Sequence, residues 1–403
     1  MNPTSGGGTT PVKYSTALES YQGDAPEVLD DVVRIAINHG ASDIHLEPKI
    51  DRMRVRIRVD GELVEHRPIP LEIATQVVSR VKVLARMDIS ERRLPQDGQL
   101  TLDIGPQRTH IRASTFPCSQ GEKLVLRLLF AQNVHSFERL GMSAHTQKRV
   151  RDIVTAPQGF LVTCGPTGSG KTSTLYALLQ HLDTTRVNVV TLEDPIEVEL
   201  DSITQGQANA RIGFTFASGL RAILRQDPDV ILVGEIRDAE TAGIALQAAL
   251  TGHLVMSTLH TSDAVETVVR LVDLGVESWI IANALTGVIA QRLVRVACTS
   301  CKATVKLEYD FWDGDEILMP AGTEVVRPRG CAQCLRTGYK GRTGIFEFLD
   351  VDDEIRELIK AKASARDYRE ILSRRKAQTL RRAGYERIVD GTTTVDDVLR
   401  VTT

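Results

Sequence analysis

The apolar residues of the first third of the chain follow two periods. Over Ala25–His39 they recur every three or four residues, which predicts an amphipathic helix that stops at Gly40. Over Arg52–Asp60 they alternate strictly with arginines, which predicts a half-buried strand with one apolar and one cationic face. Asp60-Gly61 is a hairpin signal, and further strands and a helical stretch follow. We therefore predict an N-terminal α+β domain over residues 25–131.

From Gly159 onward the pattern changes to short apolar runs that helical stretches separate. Runs of this length without alternation are typical of parallel strands covered by helices on both faces. We therefore predict an α/β domain over residues 141–296, preceded by a linker at 132–140. The predicted strands are Phe160–Thr163, Val187–Leu192, Val230–Val233 and Leu254–Thr258.

The remaining segments lack this rhythm. Residues 1–24 open with a run rich in Gly, Ser, Thr and Pro, and we predict that they are disordered. The apolar pattern breaks after Val296, so residues 297–346 are predicted to form a separate, cysteine-bearing subdomain. Residues 347–403 are charged and are predicted to be helical. We find no internal repeat, which excludes solenoids and propellers.

Composition excludes several classes of protein. With 403 residues, 42% of them hydrophobic and 25% charged, the chain is typical of folded proteins with two or three domains. A net charge of -3 and an aromatic content of 4% give no reason to expect a nucleic-acid partner. The start lacks the pattern of a signal peptide, and the charge-free stretch Ser278–Gln291 is shorter than the roughly 20 residues of a membrane span. We therefore expect a cytoplasmic protein.

A glycine-rich motif follows the first apolar run of the α/β domain. It matches the phosphate-loop pattern G-x-x-x-x-G-K-[ST]. Small residues let backbone N–H groups surround phosphates, and the following helix offers its positive N-terminal end. Lys171 is expected to reach the β- and γ-phosphates of ATP, and the Thr172 hydroxyl to ligate Mg²⁺. The alternative is a chance match, but the strand before the motif and the helix after it supply the required context. The motif consists of Gly165, Pro166, Thr167, Gly168, Ser169, Gly170, Lys171 and Thr172.

Two carboxylates follow the next apolar runs. Glu193 closes one run, and Glu235 comes one residue after another run, where Gly234 replaces the Asp of most phosphate-loop enzymes. We interpret Glu235 as the residue that orients the attacking water and Glu193 as an organiser of metal and water, a role that Asp194 can share. The alternative is that these carboxylates cap helices, a task for which Asp238 is better placed.

Histidines bracket the run Leu254–Thr258. His260 follows that strand, and a histidine at a strand end near a γ-phosphate can donate a hydrogen bond and respond to hydrolysis. The spacing is equally compatible with His253 and His260 as loop or core residues without a catalytic role.

Two C-x-x-C pairs lie in the predicted subdomain, Cys298 with Cys301 and Cys331 with Cys334. Each pair turns two thiolates toward one point, and two pairs complete a tetrahedral site for Zn²⁺. Four protein ligands leave no open position, so we expect a structural metal. Redox-active pairs are the alternative.

Two features have no assigned chemistry. The arginine-rich segment 52–58 is compatible with a solvated surface, a subunit contact or a nucleic-acid-binding stripe, and the acidic residues around it disfavour the last. Cys118 and Cys164 occur singly, and we expect both to be packing residues.

Together these motifs resemble the secretion ATPase superfamily. The similarity is closest to the type II secretion ATPase family (general secretory pathway protein E) and its relatives that assemble type IV pili. It extends from about Ala25 to the C-terminus, in the family's order of motifs. The stretches that carry it are the phosphate loop, Thr191–Glu197, Leu224–Asp238 and Leu250–Thr261.

The resemblance implies a RecA-like phosphate-loop ATPase domain, preceded by a smaller PAS-like α+β domain and followed by a tetracysteine zinc insert and C-terminal helices. It implies catalytic roles for Glu193 in the aspartate box, Glu235 in the Walker B box and His260 in the histidine box. Arg112 and Arg127 match arginines that reach the nucleotide when the two domains close, where they stabilise charge on the transferring phosphoryl group.

The function that the resemblance implies is an ATP-hydrolysing motor of the type II secretion system, which drives pseudopilus assembly and protein export. The implied partners are further copies in a homohexamer and inner-membrane components, which hold the motor at the membrane. Assembly of type IV pili or a DNA-uptake filament is the alternative, and a nucleotide-gated platform without a motor role is a third possibility. The tetracysteine insert resembles the secretion and pilus-extension branches, because the pilus-retraction branch typically lacks it. The segment Thr392–Val401 resembles the secretion branch more than the pilus branch. Such relatives usually carry a further N-terminal docking domain, and about two dozen residues before the first helix are too few for it.

Overall fold

The computed structural model describes residues 19–105, 107–129 and 136–402. It divides into an N-terminal unit, Met1–Leu129, and a C-terminal unit, Phe130–Thr403. Of the segments predicted above, residues 1–18 of the tail and 132–135 of the linker lie outside the described residues.

The N-terminal unit is a sheet with two helices. Its elements are α1 (Ala25–Asn38), β1 (Asp43–Pro48), β2 (Arg52–Val59), β3 (Glu62–Pro70), α2 (Leu71–Leu84), β4 (Gln96–Ile104), β5 (Gln107–Cys118) and β6 (Gly121–Leu129). The six strands pair antiparallel in the order β3-β2-β1-β6-β5-β4. Met53, Val55 and Ile57 of β2 are buried while the arginines between them are at least partly exposed, as the alternation predicts.

Three of the four arginines of β2 are paired with carboxylates on the neighbouring strands, and the fourth, Arg52, is paired with the adjacent Asp51. Cross-strand partners of opposite charge stabilise an antiparallel pair and neutralise one another's field. This face is therefore a surface of mixed charge and does not form the continuous cationic stripe that nucleic acids bind. The pairs are Arg54–Glu65 at 3.2 Å, Arg56–Glu47 at 2.6 Å and Arg58–Asp43 at 3.8 Å.

The C-terminal unit is built on a seven-stranded sheet. The elements that form or cover it are α3 (Ala144–Val154), β7 (Gly159–Cys164), α4 (Lys171–Gln180), β8 (Val189–Glu193), β9 (Thr204–Gln207), α5 (Phe216–Ile223), β10 (Val230–Val233), α6 (Ala239–Leu250), β11 (Leu254–Leu259), α7 (Ala264–Asp273), α8 (Ser278–Ala284) and β12 (Leu285–Ala297). After β12 come β13 (Lys302–Lys306), β14 (Phe311–Asp313), β15 (Glu316–Met319), β16 (Glu324–Pro328), β17 (Tyr339–Asp350), α9 (Asp353–Lys360), α10 (Ala365–Arg374), α11 (Leu380–Val389) and α12 (Val395–Thr402).

The sheet has the order β17-β12-β7-β11-β10-β8-β9, and only β17 runs antiparallel to its neighbour. Every residue of β7, β8, β10 and β11 is buried, which is why these strands are mostly apolar and show no alternation. The predicted α/β fold is confirmed. Strand β8 begins at Val189, two residues later than predicted. The backbone N–H of Asn188 donates to the side-chain carboxylate of Asp229 and not to a backbone carbonyl of a neighbouring strand.

The cysteine-bearing segment forms two small hairpins between β12 and β17. Strand β13 pairs with β16 and β14 with β15, both antiparallel. Arg382 of α11 donates to Asp313 at 3.0 Å and thereby holds the second hairpin against the C-terminal helices. The prediction that both single cysteines are packing residues is confirmed for Cys164 and wrong for Cys118. Cys164 is buried, but Cys118 is exposed at the end of β5, where the edge of the strand ladder meets solvent.

No helix in the described part of the chain combines the length and the apolar character that crossing a bilayer requires. The charge-free stretch Ser278–Gln291 instead forms α8 and the first half of β12, inside the C-terminal unit.

A buried ion pair fixes the last helix to the sheet. Asp397 of α12 is fully buried and accepts hydrogen bonds from the Arg295 side chain at 2.7 Å and from the Arg295 backbone N–H at 2.6 Å. The Arg295 guanidinium carbon also lies 4.0 Å from the ring centroid of Tyr339, a cation–π contact. The C-terminal helix is therefore part of the core of this unit.

We predict that Asp397→Ala lowers the free energy of unfolding by about 3–5 kcal/mol, because it leaves the Arg295 charge buried without its carboxylate partner. Chemical denaturation monitored by circular dichroism measures the change. Asp396→Ala is the matched control, since Asp396 is the exposed neighbour on the same helix, and we expect its effect to stay below about 1 kcal/mol. Equal effects of the two substitutions would contradict a structural role for the pair.

Candidate functional site

A cavity of about 370 Å³ opens where the parallel strands of the C-terminal unit end. The loop after β7, the end of β8 and the residues after β10 and β11 all contribute to its wall, because carboxyl ends of parallel strands meet at one edge. Of the sequence-predicted residues, Gly165, Pro166 and Ser169 do not line the cavity. Those that do are Thr167, Gly168, Gly170, Lys171, Thr172, Glu193, Glu235 and His260, together with Asp194.

The glycine-rich loop turns sharply between β7 and α4, and its glycines make the turn possible. Gly165 has a φ of +147°, and a Cβ atom there would lie 2.7 Å from the backbone oxygen of Gln291. Gly170 has a φ of +90° and is the residue from which α4 starts. The loop therefore directs the N-terminus of α4, a favourable place for an anion, toward the cavity.

Lys171 brings a buried positive charge to this loop. Its Nζ atom donates to the backbone oxygens of Gly165 at 2.7 Å and Pro166 at 3.2 Å. Burial lowers the pKa of the Lys171 ammonium, and in the described residues no carboxylate lies within ion-pair distance of it. A cation whose partners are neutral carbonyls favours an anionic ligand.

His260 lies between Lys171 and the carboxylate after β10. Its Nδ1 atom is 3.5 Å from Lys171 Nζ, and its Nε2 atom is 3.4 Å from a carboxylate oxygen of Glu235. The other oxygen of Glu235 accepts a short hydrogen bond from Arg237. Glu235 caps no helix, since the cap of α6 is Asp238, which accepts from the N–H of Thr241 at 2.7 Å.

Glu193 is the most buried carboxylate of the cavity wall and is held by three donors. Its oxygens accept from the hydroxyl of Thr191 at 2.6 Å, from the amide of Gln205 at 3.1 Å and from the hydroxyl of Tyr176. Burial and the Glu193 charge raise the pKa of the Tyr176 hydroxyl. All three donors are side chains, so Glu193 is held in a fixed orientation and does not act as a helix cap.

Arg112 and Arg127 belong to the N-terminal unit. They are directly opposed on β5 and β6, so both side chains leave the same face of that sheet. Arg127 is two-thirds exposed and donates to Asp43 at 2.9 Å. Burial alone would raise the pKa of the Asp43 carboxyl, but hydrogen bonds from Arg127 and Ser42 hold it below its usual range. The role of both arginines toward a nucleotide stays a prediction.

The four cysteines of the two C-x-x-C pairs converge, as predicted. All four sulfur atoms lie within 4.8 Å of one another. The Sγ–Sγ distances given below are well above the S–S bond length of about 2.05 Å, so these pairs form no disulfide. A tetrahedral site with metal–sulfur bonds of about 2.3 Å has edges of about 3.8 Å, which these separations match. The measured Sγ–Sγ distances are 3.9 Å for Cys298–Cys331, 3.9 Å for Cys301–Cys334 and 3.7 Å for Cys331–Cys334.

The backbone around Cys334 favours its thiolate, whereas burial raises the pKa of the Cys301 thiol to about 11. Cys334 Sγ accepts from the N–H groups of Cys331 at 3.1 Å and Gly338 at 3.2 Å. Burial opposes ionisation, but these N–H groups lower the pKa of the Cys334 thiol to about 7. A thiolate set of this geometry fits Zn²⁺ and leaves no position for a substrate.

The sequence motifs missed several residues of the cavity. Tyr176 and Gln205 orient Glu193, and Arg237 orients Glu235. Arg342 of β17 and Phe216 of α5 also line the wall. Because Arg237 is only two residues from Glu235, its contact with Glu235 could have been predicted from the sequence. Arg342 is far from the motifs in the sequence and reaches the cavity only through the tertiary fold.

Comparison with known proteins identifies similar chains. Residues 20–400 match the family model described as "Type II/IV secretion system protein". Type II secretion system protein E of Pseudomonas aeruginosa is 46% identical over 392 residues, which cover 96% of this chain and 77% of that protein. The type IV pilus assembly ATPase TfpB of Acinetobacter baylyi is 44% identical over 381 residues, which cover 93% of this chain and 65% of that protein. The crystal structure of the pilus retraction motor PilT with bound ADP superposes with a TM-score of 0.61 at 26% identity, over 92% of this chain and 96% of that one.

We predict that the purified chain carries one zinc ion and that Cys331→Ser loses it, because three thiolates and a hydroxyl no longer form a closed tetrahedral site. Elemental analysis by mass spectrometry measures the metal content. Cys118→Ser is the control, since Cys118 is exposed and distant from the cluster, and it should retain the zinc. A wild-type protein without stoichiometric zinc would refute the assignment.

Proposed function

This chain belongs to the type II/IV secretion system protein family, and we propose that it is a Mg²⁺-dependent ATPase that serves as the motor of a type II secretion system. The observation that carries the proposal is a single cavity wall that joins the glycine-rich loop, the Lys171 ammonium, His260 and Glu235. A loop for phosphates and a carboxylate for water are the two parts that hydrolysis of ATP requires.

The loop binds the triphosphate. Backbone N–H groups of Gly168, Gly170, Lys171 and Thr172, which line the cavity, surround the phosphates, and the N-terminus of α4 adds a favourable dipole. Lys171 exchanges its bonds to the carbonyls of Gly165 and Pro166 for phosphate oxygens, which repays the cost of its burial. The Thr172 hydroxyl, in the first turn of α4, is the ligand for Mg²⁺, which neutralises charge that develops on the phosphates.

Glu235 then orients a water molecule for attack in line with the leaving group. Arg237 and His260 hold its two oxygens, so the carboxylate needs little reorganisation during the reaction. His260 also contacts Lys171 and is therefore placed to respond when the γ-phosphate leaves. Glu193, fixed by Tyr176 and its other donors, organises the metal and its water from the end of β8.

Two arginines of the N-terminal unit also take part in this proposal. Arg112 and Arg127, on the PAS-like sheet of that unit, stabilise charge on the transferring phosphoryl group. The exposure of Arg127 and the shared face of the two arginines support this role. The four-cysteine cluster holds a structural zinc and takes no part in the chemistry, because it has no open position.

The motor works as a homohexamer on inner-membrane components of its machine and promotes pseudopilus assembly and protein export. ATP is a cytoplasmic substrate, so the motor acts from the cytoplasmic side as a peripheral component. The identity of 46% to a type II secretion system protein E supports this pathway. The identity of 44% to a type IV pilus assembly ATPase makes filament assembly the second candidate, with the same nucleotide chemistry.

Glu235→Gln should bind ATP with an affinity within about threefold of wild type but hydrolyse it at least about a hundredfold more slowly, since an amide cannot accept the proton of water. Lys171→Ala should lose binding as well, because it removes the charge that holds the phosphates. Calorimetry with ATP and a phosphate-release assay separate the two effects. Glu357→Gln, an exposed carboxylate that pairs with Lys360, is the control and should behave as wild type. Turnover of Glu235→Gln close to the wild-type rate would overturn its role.

In the native cell, we predict that a chromosomal Lys171→Ala substitution abolishes release of exoproteins and leaves surface pili intact. Both phenotypes are measured in parallel, with Lys148→Ala, an exposed lysine of α3, as the control. Loss of pili or DNA uptake with normal release would instead assign the motor to filament assembly. Normal release and normal pili together would contradict a motor role in either machine.

A further inference from the structure

A buried glutamine touches the phosphate loop from the neighbouring strand. Gln291 of β12 is 1% exposed, and its Nε2 atom donates to the backbone oxygen of Ser169 at 2.7 Å. The last register pair between β7 and β12 joins Cys164 to Ala290, so Gln291 lies beside the point where the loop leaves the sheet. Because the Ser169 oxygen can only accept, the NH₂ group of the amide must face it.

We propose that Gln291 is a positioning residue for the phosphate loop, which fixes the orientation of the peptide between Ser169 and Gly170. The inference rests on the proposed function, in which this loop binds the phosphates of ATP. In a trans peptide the C=O and N–H bonds point in opposite directions. With its oxygen held by Gln291, this peptide directs the N–H of Gly170, a residue of the cavity wall, away from the glutamine and toward the ligand.

Gln291 lies so close to both ends of the loop that neither glycine there has room for a side chain. A Cβ atom on Gly170 would lie 3.2 Å from the amide nitrogen of Gln291, and one on Gly165 would lie 2.7 Å from its backbone oxygen. Gln291 therefore contacts the start of the loop through its backbone and the end of the loop through its side chain. These two contacts of Gln291 hold the loop in one conformation before a ligand binds, which lowers the conformational cost of binding.

Arg292 holds the backbone at Gln291 in place. Its guanidinium donates to the backbone oxygens of Gln291 at 3.0 Å, Ser262 at 2.6 Å and Val401 at 3.1 Å. Ser262 follows His260 by two residues, and Val401 lies in the last turn of α12. Arg292 thus ties the backbone at Gln291 to the loop that carries His260 and to the C-terminal helix, so the glutamine has a rigid base.

Loss of the hydrogen bond between Gln291 and Ser169 is expected to weaken the binding of phosphate groups specifically. If the peptide between Ser169 and Gly170 turns over, a carbonyl oxygen replaces an N–H group at the ligand, and the negative end of its dipole repels the phosphates. Binding of the nucleoside part does not depend on this peptide. The affinity for a nucleotide that reaches the loop with its β-phosphate should therefore fall more than the affinity for one that lacks it.

Gln291→Met tests the inference, because methionine has nearly the same length and no donor. We expect the affinity of the full chain for Mg²⁺-ADP to fall about tenfold, a change equal to the loss of one hydrogen bond of about 1.4 kcal/mol. The affinity for AMP, measured by competition at millimolar concentration, should change less than twofold. Val294→Ala is the control, since Val294 is fully buried on the same strand and its truncation lowers stability without changing the preference for ADP over AMP.

Gln291→Glu is the second variant and keeps the shape of the side chain. The ionised form of this carboxyl cannot donate to the Ser169 oxygen and adds negative charge near the phosphates. At a pH above the pKa of the buried carboxyl, the loss of ADP affinity should therefore exceed that of Gln291→Met. An unchanged preference for ADP over AMP in the folded variants would overturn the inference, whether both affinities stay the same or both fall equally. A wild-type chain that does not prefer ADP over AMP would instead overturn the proposed function on which the inference rests.

Discussion

The organisation of the cavity depends on one buried charge, the ammonium group of Lys171. Its partners are the carbonyl oxygens of Gly165 and Pro166, which solvate a cation without neutralising it. Coulomb attraction is strong at a site of reduced polarity, so an unneutralised cation there stabilises a polyanion far more than the same cation would in water. The loop, the N-terminus of α4 and His260 all lie around this charge, and each makes sense as part of an anion site.

The parallel sheet brings residues that are far apart in the sequence together in one site. Strands β7, β8, β10 and β11 run in the same direction, so the residues that follow them meet at one edge although long helical segments separate them in the chain. Strand β12 links this edge to the rest of the unit. One part of β12 holds the phosphate loop through Gln291, and another holds the C-terminal helix through Arg295. The four-cysteine segment begins where β12 ends, so the cysteine cluster and the cavity are joined by one strand.

Features encoded by adjacent residues were predictable from the sequence. The buried strands, the convergence of four cysteines and the cap at Asp238 follow from short patterns with a direct physical cause. Features that depend on register or on long-range contact were not. The pairing of the β2 arginines with carboxylates requires knowledge of which strands are neighbours. The hydrogen bond between Tyr176 and Glu193, and the reach of Arg342 into the cavity, arise only when helix and strand are packed together. The exposure of Cys118 likewise depends on its position at the end of a strand.

The most direct test of the account is a structure of the wild-type chain with Mg²⁺ and a non-hydrolysable ATP analogue, determined by crystallography or cryo-electron microscopy. The account predicts that the β-phosphate lies within the loop Gly165–Thr172, with Lys171 Nζ moved from the loop carbonyls to the phosphate oxygens. It also predicts that the Glu235 carboxylate faces the γ-phosphate with room for one water molecule between them. A triphosphate bound elsewhere, or a Glu235 side chain turned away from the γ-phosphate, would contradict the central claim.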